Sequence, residues 1–191
     1  MTNDNITRRN QLMEQIAKGV ALIESDREWL REHPIISPRY GNPYIIADFL
    51  PMEPGKDYTL TVSCQSVHED HPIVPTFTIP FEKGGYIQLT NIVNAPLPAK
   101  NMKQSTKLSF RMLPGITAAA KCRSDAGVLM VSYQGWVRDN KPFPLWFECV
   151  RYPGFAMKKE VITDNMVSYS CCGADGTEDA FQFLVNWYPV E

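Results

Sequence analysis

The chain lacks an excess of charge of either sign: 19 lysines and arginines stand against 21 acidic residues, a formal net charge of −2. No global basic field exists to neutralise a phosphate backbone, so nucleic acid is not an expected partner. Long apolar runs are missing too. Nothing approaches the roughly eighteen residues that cross a bilayer as a helix, so no transmembrane segment is expected. The opening Met1-Thr2-Asn3-Asp4-Asn5-Ile6-Thr7 has no basic start followed by an apolar core, and no secretory signal is visible. The expected location is the cytoplasm, or a particle assembled there.

The five cysteines, Cys64, Cys122, Cys149, Cys171 and Cys172, include no C-x-x-C pair. Their odd number fits free thiols in a reducing compartment better than a disulfide framework. Adjacent Cys171 and Cys172 would point to opposite faces of a strand, so at most one of them is expected in the core. Also absent are a Gly-x-Ser-x-Gly elbow, a phosphate-cradling Gly-x-x-x-x-Gly-Lys and a dinucleotide-binding Gly-x-Gly-x-x-Gly. Common cofactor enzymes are thereby disfavoured.

What is present reads as one folding unit. A length of 191 residues with 44% hydrophobic and 21% charged side chains is ordinary for a single globular domain with a sizeable core. Leu12, Ile16, Val20 and Ile23, widened by Met13 and Ala17, follow the period of an amphipathic helix from about Thr7 to Glu24. Ser25 followed by Glu28 has capping-box spacing, which predicts a second short helix that Pro34 stops. Residues 1–33 are therefore expected to form a helical arm ahead of a body spanning 34–191.

In the body the period falls to two. Tyr58, Leu60, Val62 and Cys64 alternate with Thr59, Thr61, Ser63 and Gln65; Phe181, Phe183, Val185 and Trp187 alternate with Gln182, Leu184, Asn186 and Tyr188. Leu108, Phe110 and Met112 repeat the pattern. Val128–Tyr133 is apolar on both faces and suits a central strand, whereas Pro75 and Pro80 place the strand around Phe77 at an edge or bulge. Turn signals at Pro54-Gly55, Gly84-Gly85, Asp139-Asn140 and Pro153-Gly154 separate the runs. About ten strands without intervening helical patterns predict a mainly β fold, an antiparallel β-sandwich or jelly roll. The long connections Asn94–Ser105 and Pro114–Ala126 are candidate binding loops by position, with Ile116–Lys121 able to form a turn or two of helix. Met52–Val62 resembles the turn-into-strand segment of many carbohydrate-binding modules and fibronectin-like sandwiches, which supports the sandwich without implying sugar binding.

The sharpest chemical cluster is His68-Glu69-Asp70-His71, whose imidazoles and carboxylates are zinc-type ligands. A solvated polar turn would present the same residues. Ala174–Asp179 gathers oxygens but lacks the register of an EF-hand loop. Trp136, Trp146 and Tyr152 could stack on sugar rings or anchor a protein, although cross-strand packing uses the same residues. The leading functional expectation is a non-catalytic binding or assembly protein, self-associating or meeting a protein partner through the N-terminal helix. The alternatives are a metal-dependent enzyme holding zinc at His68 and His71, and a carbohydrate-binding module using Trp136, Trp146 and Tyr152.

Overall fold

A computed structural model describes residues 3–67, 73–81, 83–93, 103–109, 115–137, 150–151, 156–172 and 181–191. Two helices come first, α1 (Asn3–Ala17) and α2 (Glu24–Glu32). Twelve strands follow: β1 (Ile35–Ile36), β2 (Ile45–Pro51), β3 (Asp57–Val67), β4 (Ile73–Thr78), β5 (Gly85–Val93), β6 (Lys107–Ser109), β7 (Thr117–Ser124), β8 (Val128–Val137), β9 (Val150–Arg151), β10 (Met157–Thr163), β11 (Met166–Cys171) and β12 (Phe181–Pro189). No described helix is long and apolar enough to cross a membrane.

The first helix is shorter than its apolar stripe predicts, and Gly19 is the reason. At φ +74° Gly19 adopts the left-handed conformation that closes a helix. Its N–H bonds the carbonyl of Ile16 at 2.9 Å, and the N–H of Val20 bonds that of Gln15 at 3.0 Å. These two bonds form a Schellman cap. Leu12 and Ile16 are buried, while Val20 and Ile23, beyond the cap, are 47% and 65% exposed. The second helix begins one residue before Ser25, with Ile23 as N-cap and no side-chain cap.

The arm packs on its own body. Leu12, Ile16, Leu22 and Leu30 bury themselves against Phe49 of β2 and Ala126 and Val128 at the start of β8. Two cationic residues fasten α1 to α2: Arg8 pairs with Asp26 at 3.1 Å and lies 4.7 Å over the Trp29 ring. Arg9 donates to the carbonyls of His33 and Pro34 at 2.9 and 3.1 Å, at the point where α2 ends.

All described strand pairs are antiparallel, and ten of the described strands form one path in the order β5-β7-β3-β12-β11-β10-β2-β8-β4-β6. The mainly β, antiparallel expectation holds. The path curls into a nearly closed barrel with two thin seams. Between β10 and β2 one residue pair, Met157 with Ile45, makes the ladder among the described residues. At the free ends, Ile87 of β5 and Ser105 just before β6 exchange N–H···O bonds of 2.6 and 3.0 Å.

Inside the barrel sits the larger core. Alternation places Tyr58, Leu60, Val62 and Cys64 from β3 and Phe183, Val185 and Trp187 from β12 there, as their period of two predicts. Strand β8 is interior, flanked by β2 and β4. Strand β4 is next to last rather than outermost. Its outer neighbour β6 pairs with Thr76–Thr78, and Pro75 lies in the ladder with Tyr133 of β8.

Two local expectations are corrected. Residues Thr117–Lys121 belong to strand β7, not to a helical turn, because pairing with both β3 and β5 overrides the helix preference of three alanines. Cys171 and Cys172 are both buried: the Cys172 N–H bonds the carbonyl of Ala156 at 2.9 Å, in the register that pairs Cys171 with Met157, and both faces of the chain are covered there. The expected strand continuation through Phe110 and Met112, the Asp139-Asn140 turn and the stretch Leu145–Cys149 lie outside the described residues.

Candidate functional site

Helix α2 crosses one end of the barrel and forms the wall of a cleft of about 440 Å³. Glu24, Arg27, Glu28 and Arg31 share one helix face because they recur at three- and four-residue spacing, and all four line the cleft. The opposite side comes from distant parts of the chain: Pro51, Met52 and Glu53 after β2, Tyr58 at the start of β3, Asp164 and Asn165 in the β10–β11 turn, and Trp187 and Pro189 at the end of β12.

The floor is tied down by hydrogen bonds. The Trp187 indole N–H donates to the Pro51 carbonyl at 2.9 Å, and the Glu53 backbone N–H donates to the Tyr58 hydroxyl at 3.0 Å. The backbone N–H of Trp187 bonds the Asn165 carbonyl at 3.0 Å.

Around this floor the charges are unevenly satisfied. Glu28 lies 3.9 Å from Arg31, and Glu53 lies 3.2 Å from Lys56. Arg31 also donates to the Thr163 carbonyl at 3.3 Å, and Arg27 donates to the Leu22 carbonyl at 2.6 Å. Glu24 and Asp164 have no ion-pair partner among the described residues.

Beneath the C-terminal end of α2, at the thin β2–β10 seam, lies a buried polar cluster. Lys159 Nζ is 2.8 Å from Asp48 Oδ1 and 2.9 Å from the Arg31 carbonyl. The Tyr169 hydroxyl donates to Asp48 Oδ2 at 2.6 Å. Burial, reinforced by the neighbouring Asp48 charge, pushes the Tyr169 phenol well above its ordinary value. Every one of these groups has a protein partner, so the cluster is built to join the seam and α2.

Two described thiols, Cys122 and Cys171, are poor nucleophiles. Burial, with Asp57 nearby, pushes Cys122 up to about 12. Burial and the adjacent Cys172 and Cys64 also raise Cys171. All four described cysteines are buried. The Tyr133 hydroxyl donates to the Cys172 carbonyl.

The expected site residues fall elsewhere or out of view. His68, His71, Trp146 and Tyr152 lie outside the described residues, as do Cys149 and Ala174–Asp179. Trp136 belongs to β8, where it pairs with Arg151 of β9. His33 stacks on Trp29 with ring centroids 4.1 Å apart, and its Nδ1 meets the Trp29 carbonyl at 2.8 Å. No group of three or more metal-ligating side chains converges among the described residues.

No protein-family description, curated protein or solved structure matches this chain. Sequence reasoning passed over the cleft, although the stripe Glu24, Arg27, Glu28, Arg31 is a visible signal for its α2 wall. The partners of that wall are not visible, because Asp164 and Trp187 arrive from far along the chain.

Proposed function

We propose that this chain is a non-catalytic binding protein that receives a segment of a protein partner in the cleft between α2 and the end of the barrel. The observation that carries the reading is the cleft itself, where the charged face of α2 stands opposite Pro51, Tyr58 and Trp187, which hydrogen bonds hold in place. Concave sites of several hundred Å³ with a few polar groups at the border are the usual form of a binding pocket. The N-terminal helical arm takes part, since α2 supplies a whole wall.

As to architecture, we read the six strands from β5 to β10 and the four from β2 to β6 as two faces of a flattened barrel, the form closest to the expected sandwich. Among the described residues, the one residue pair at the β2–β10 seam and the isolated bridge at the other support this reading.

A phage-displayed library of linear peptides, selected against the full chain, tests the function. Glu28→Trp fills the cleft from the exposed face of α2 without touching the core. Selected binders are expected to lose affinity for that variant at least tenfold while its unfolding curve stays unchanged. Binders indifferent to Glu28→Trp, or no binders at all, would contradict the proposal.

A further inference from the structure

The last carbonyls of an α-helix have no partner within the helix and must find one outside it. At the end of α2 the Trp29 carbonyl meets His33 Nδ1 at 2.8 Å, and the Leu30 carbonyl accepts the His33 backbone N–H at 3.1 Å. The Arg31 carbonyl accepts from Lys159 Nζ at 2.9 Å. The first two partners are local, whereas the third comes from β10. A cation at this end also meets the negative pole of the helix dipole. Lys159 is thus a cap that the barrel supplies to α2, and its ammonium is fixed in turn by Asp48 at 2.8 Å.

Arg31 returns the contact. Its guanidinium donates to the Thr163 carbonyl at 3.3 Å, and the next two residues, Asp164 and Asn165, stand on the facing side of the cleft. One residue of the cleft lining therefore meets β10 at two points, through its carbonyl and through its side chain. Leu30 and Phe49 share the core beneath the arm, which holds α2 down on the sheet, but apolar contact has no direction. The directional bonds to β10 fix where the helix sits along its axis. Glu24, Arg27, Glu28 and Arg31 all belong to α2, so a shift of the helix moves that whole wall.

Resting on the binding role proposed above, we infer that Lys159 is the positioning residue of the cleft: from beneath, it sets the separation between the α2 wall and the β10–β11 turn.

The test separates position from stability. Asp48→Leu combined with Lys159→Met removes the cap without leaving a buried charge unpaired. Leu89→Ala opens a cavity in β5, which lies across the barrel from β10. Library-selected peptides that bind the wild-type cleft are expected to lose affinity about tenfold or more for the double variant, and to keep it within about twofold for Leu89→Ala. In the free nitrogen-15-labelled chain, the double variant is expected to shift the amide signals of Asp164 and Asn165 and of residues 24–28, whereas Leu89→Ala leaves them in place.

Equal loss of affinity in both variants would show an effect of stability alone and overturn the inference. Wild-type affinity in the double variant, with unmoved Asp164 and Asn165 signals, would overturn it as well. Should the selected peptides be indifferent to Glu28→Trp, the binding role falls instead, and the shifts in the free chain alone decide whether Lys159 places the wall.

Discussion

Asp48 and Lys159 meet at 2.8 Å across the β2–β10 seam, with the Asp48 side chain fully buried. Among the described residues the seam has one backbone residue pair, so this ion pair, with Tyr169 on the second carboxylate oxygen and the Arg31 carbonyl on the ammonium, joins the two halves of the sheet and the end of α2. Removing one partner leaves a buried charge uncompensated, which generally costs about 3–5 kcal/mol, whereas removing both together costs far less. Lys159→Met is therefore expected to lower unfolding free energy by about 3–5 kcal/mol in urea. The pair Asp48→Leu with Lys159→Met should recover much of that loss. A double variant as unstable as the sum of the two singles would show that the residues do not act as a pair.

The helical arm is predicted to be part of the fold, not a detachable appendage. Phe49 is completely buried between the sheet and the arm, beside Leu12, Ile16 and Leu30. Phe49→Ala should cost about 3–5 kcal/mol through lost burial and the cavity left behind. Deleting residues 1–33 exposes the outer face of β2 and β8 and should abolish cooperative unfolding. A truncated chain with an intact, cooperative transition would refute this.

Gly85 opens β5 at φ +141°, and a Cβ there would lie 1.9 Å from the Arg123 carbonyl oxygen of β7. Backbone cannot yield as a flexible side chain would, so Gly85→Ala should destabilise by at least 1–3 kcal/mol, roughly the strain of a disallowed backbone conformation. Gly19→Ala, at the Schellman cap, should cost only about 1 kcal/mol. Chemical denaturation of the two variants orders them. An equal or reversed order would contradict the geometry.

Alkaline solution should unfold the chain through its buried weak acids. Cys122 is pushed from an ordinary thiol value of 9.0 up to about 12, so the unfolded chain releases its proton at a lower pH than the folded one. Its contribution is fully present below about pH 9 and is lost between there and about pH 12, at ~1.4 kcal/mol per pH unit. Tyr169, raised by burial and Asp48, adds loss at the upper end in the same direction. Cys122→Ala should flatten the fall in stability measured from pH 9 upward. An unchanged slope would mean that Cys122 does not carry it.

Much of the fold was legible wherever one periodicity met one environment. Tyr58, Leu60, Val62 and Cys64 alternate because one face of β3 meets the core, and they lie there. Failures arose where a local rule competed with a stronger partner. The stripe continued past Gly19 to Val20 and Ile23, but the glycine cap ended the helix first. Ala118, Ala119 and Ala120 favour helix, yet two flanking strands hold them in β7. The cleft was half legible, since the charged stripe on α2 reads equally well as a solvated face. Only the arrival of Asp164 and Trp187, set by the sheet order, distinguishes the two.

The most direct test of the binding role is a hydrogen–deuterium exchange footprint of a library-selected peptide on the full chain. Protection confined to the borders of the cleft, residues 22–31, 51–58, 164–165 and 187–190, is the predicted result. Protection elsewhere on the barrel, with these segments exchanging as in the free protein, would contradict it.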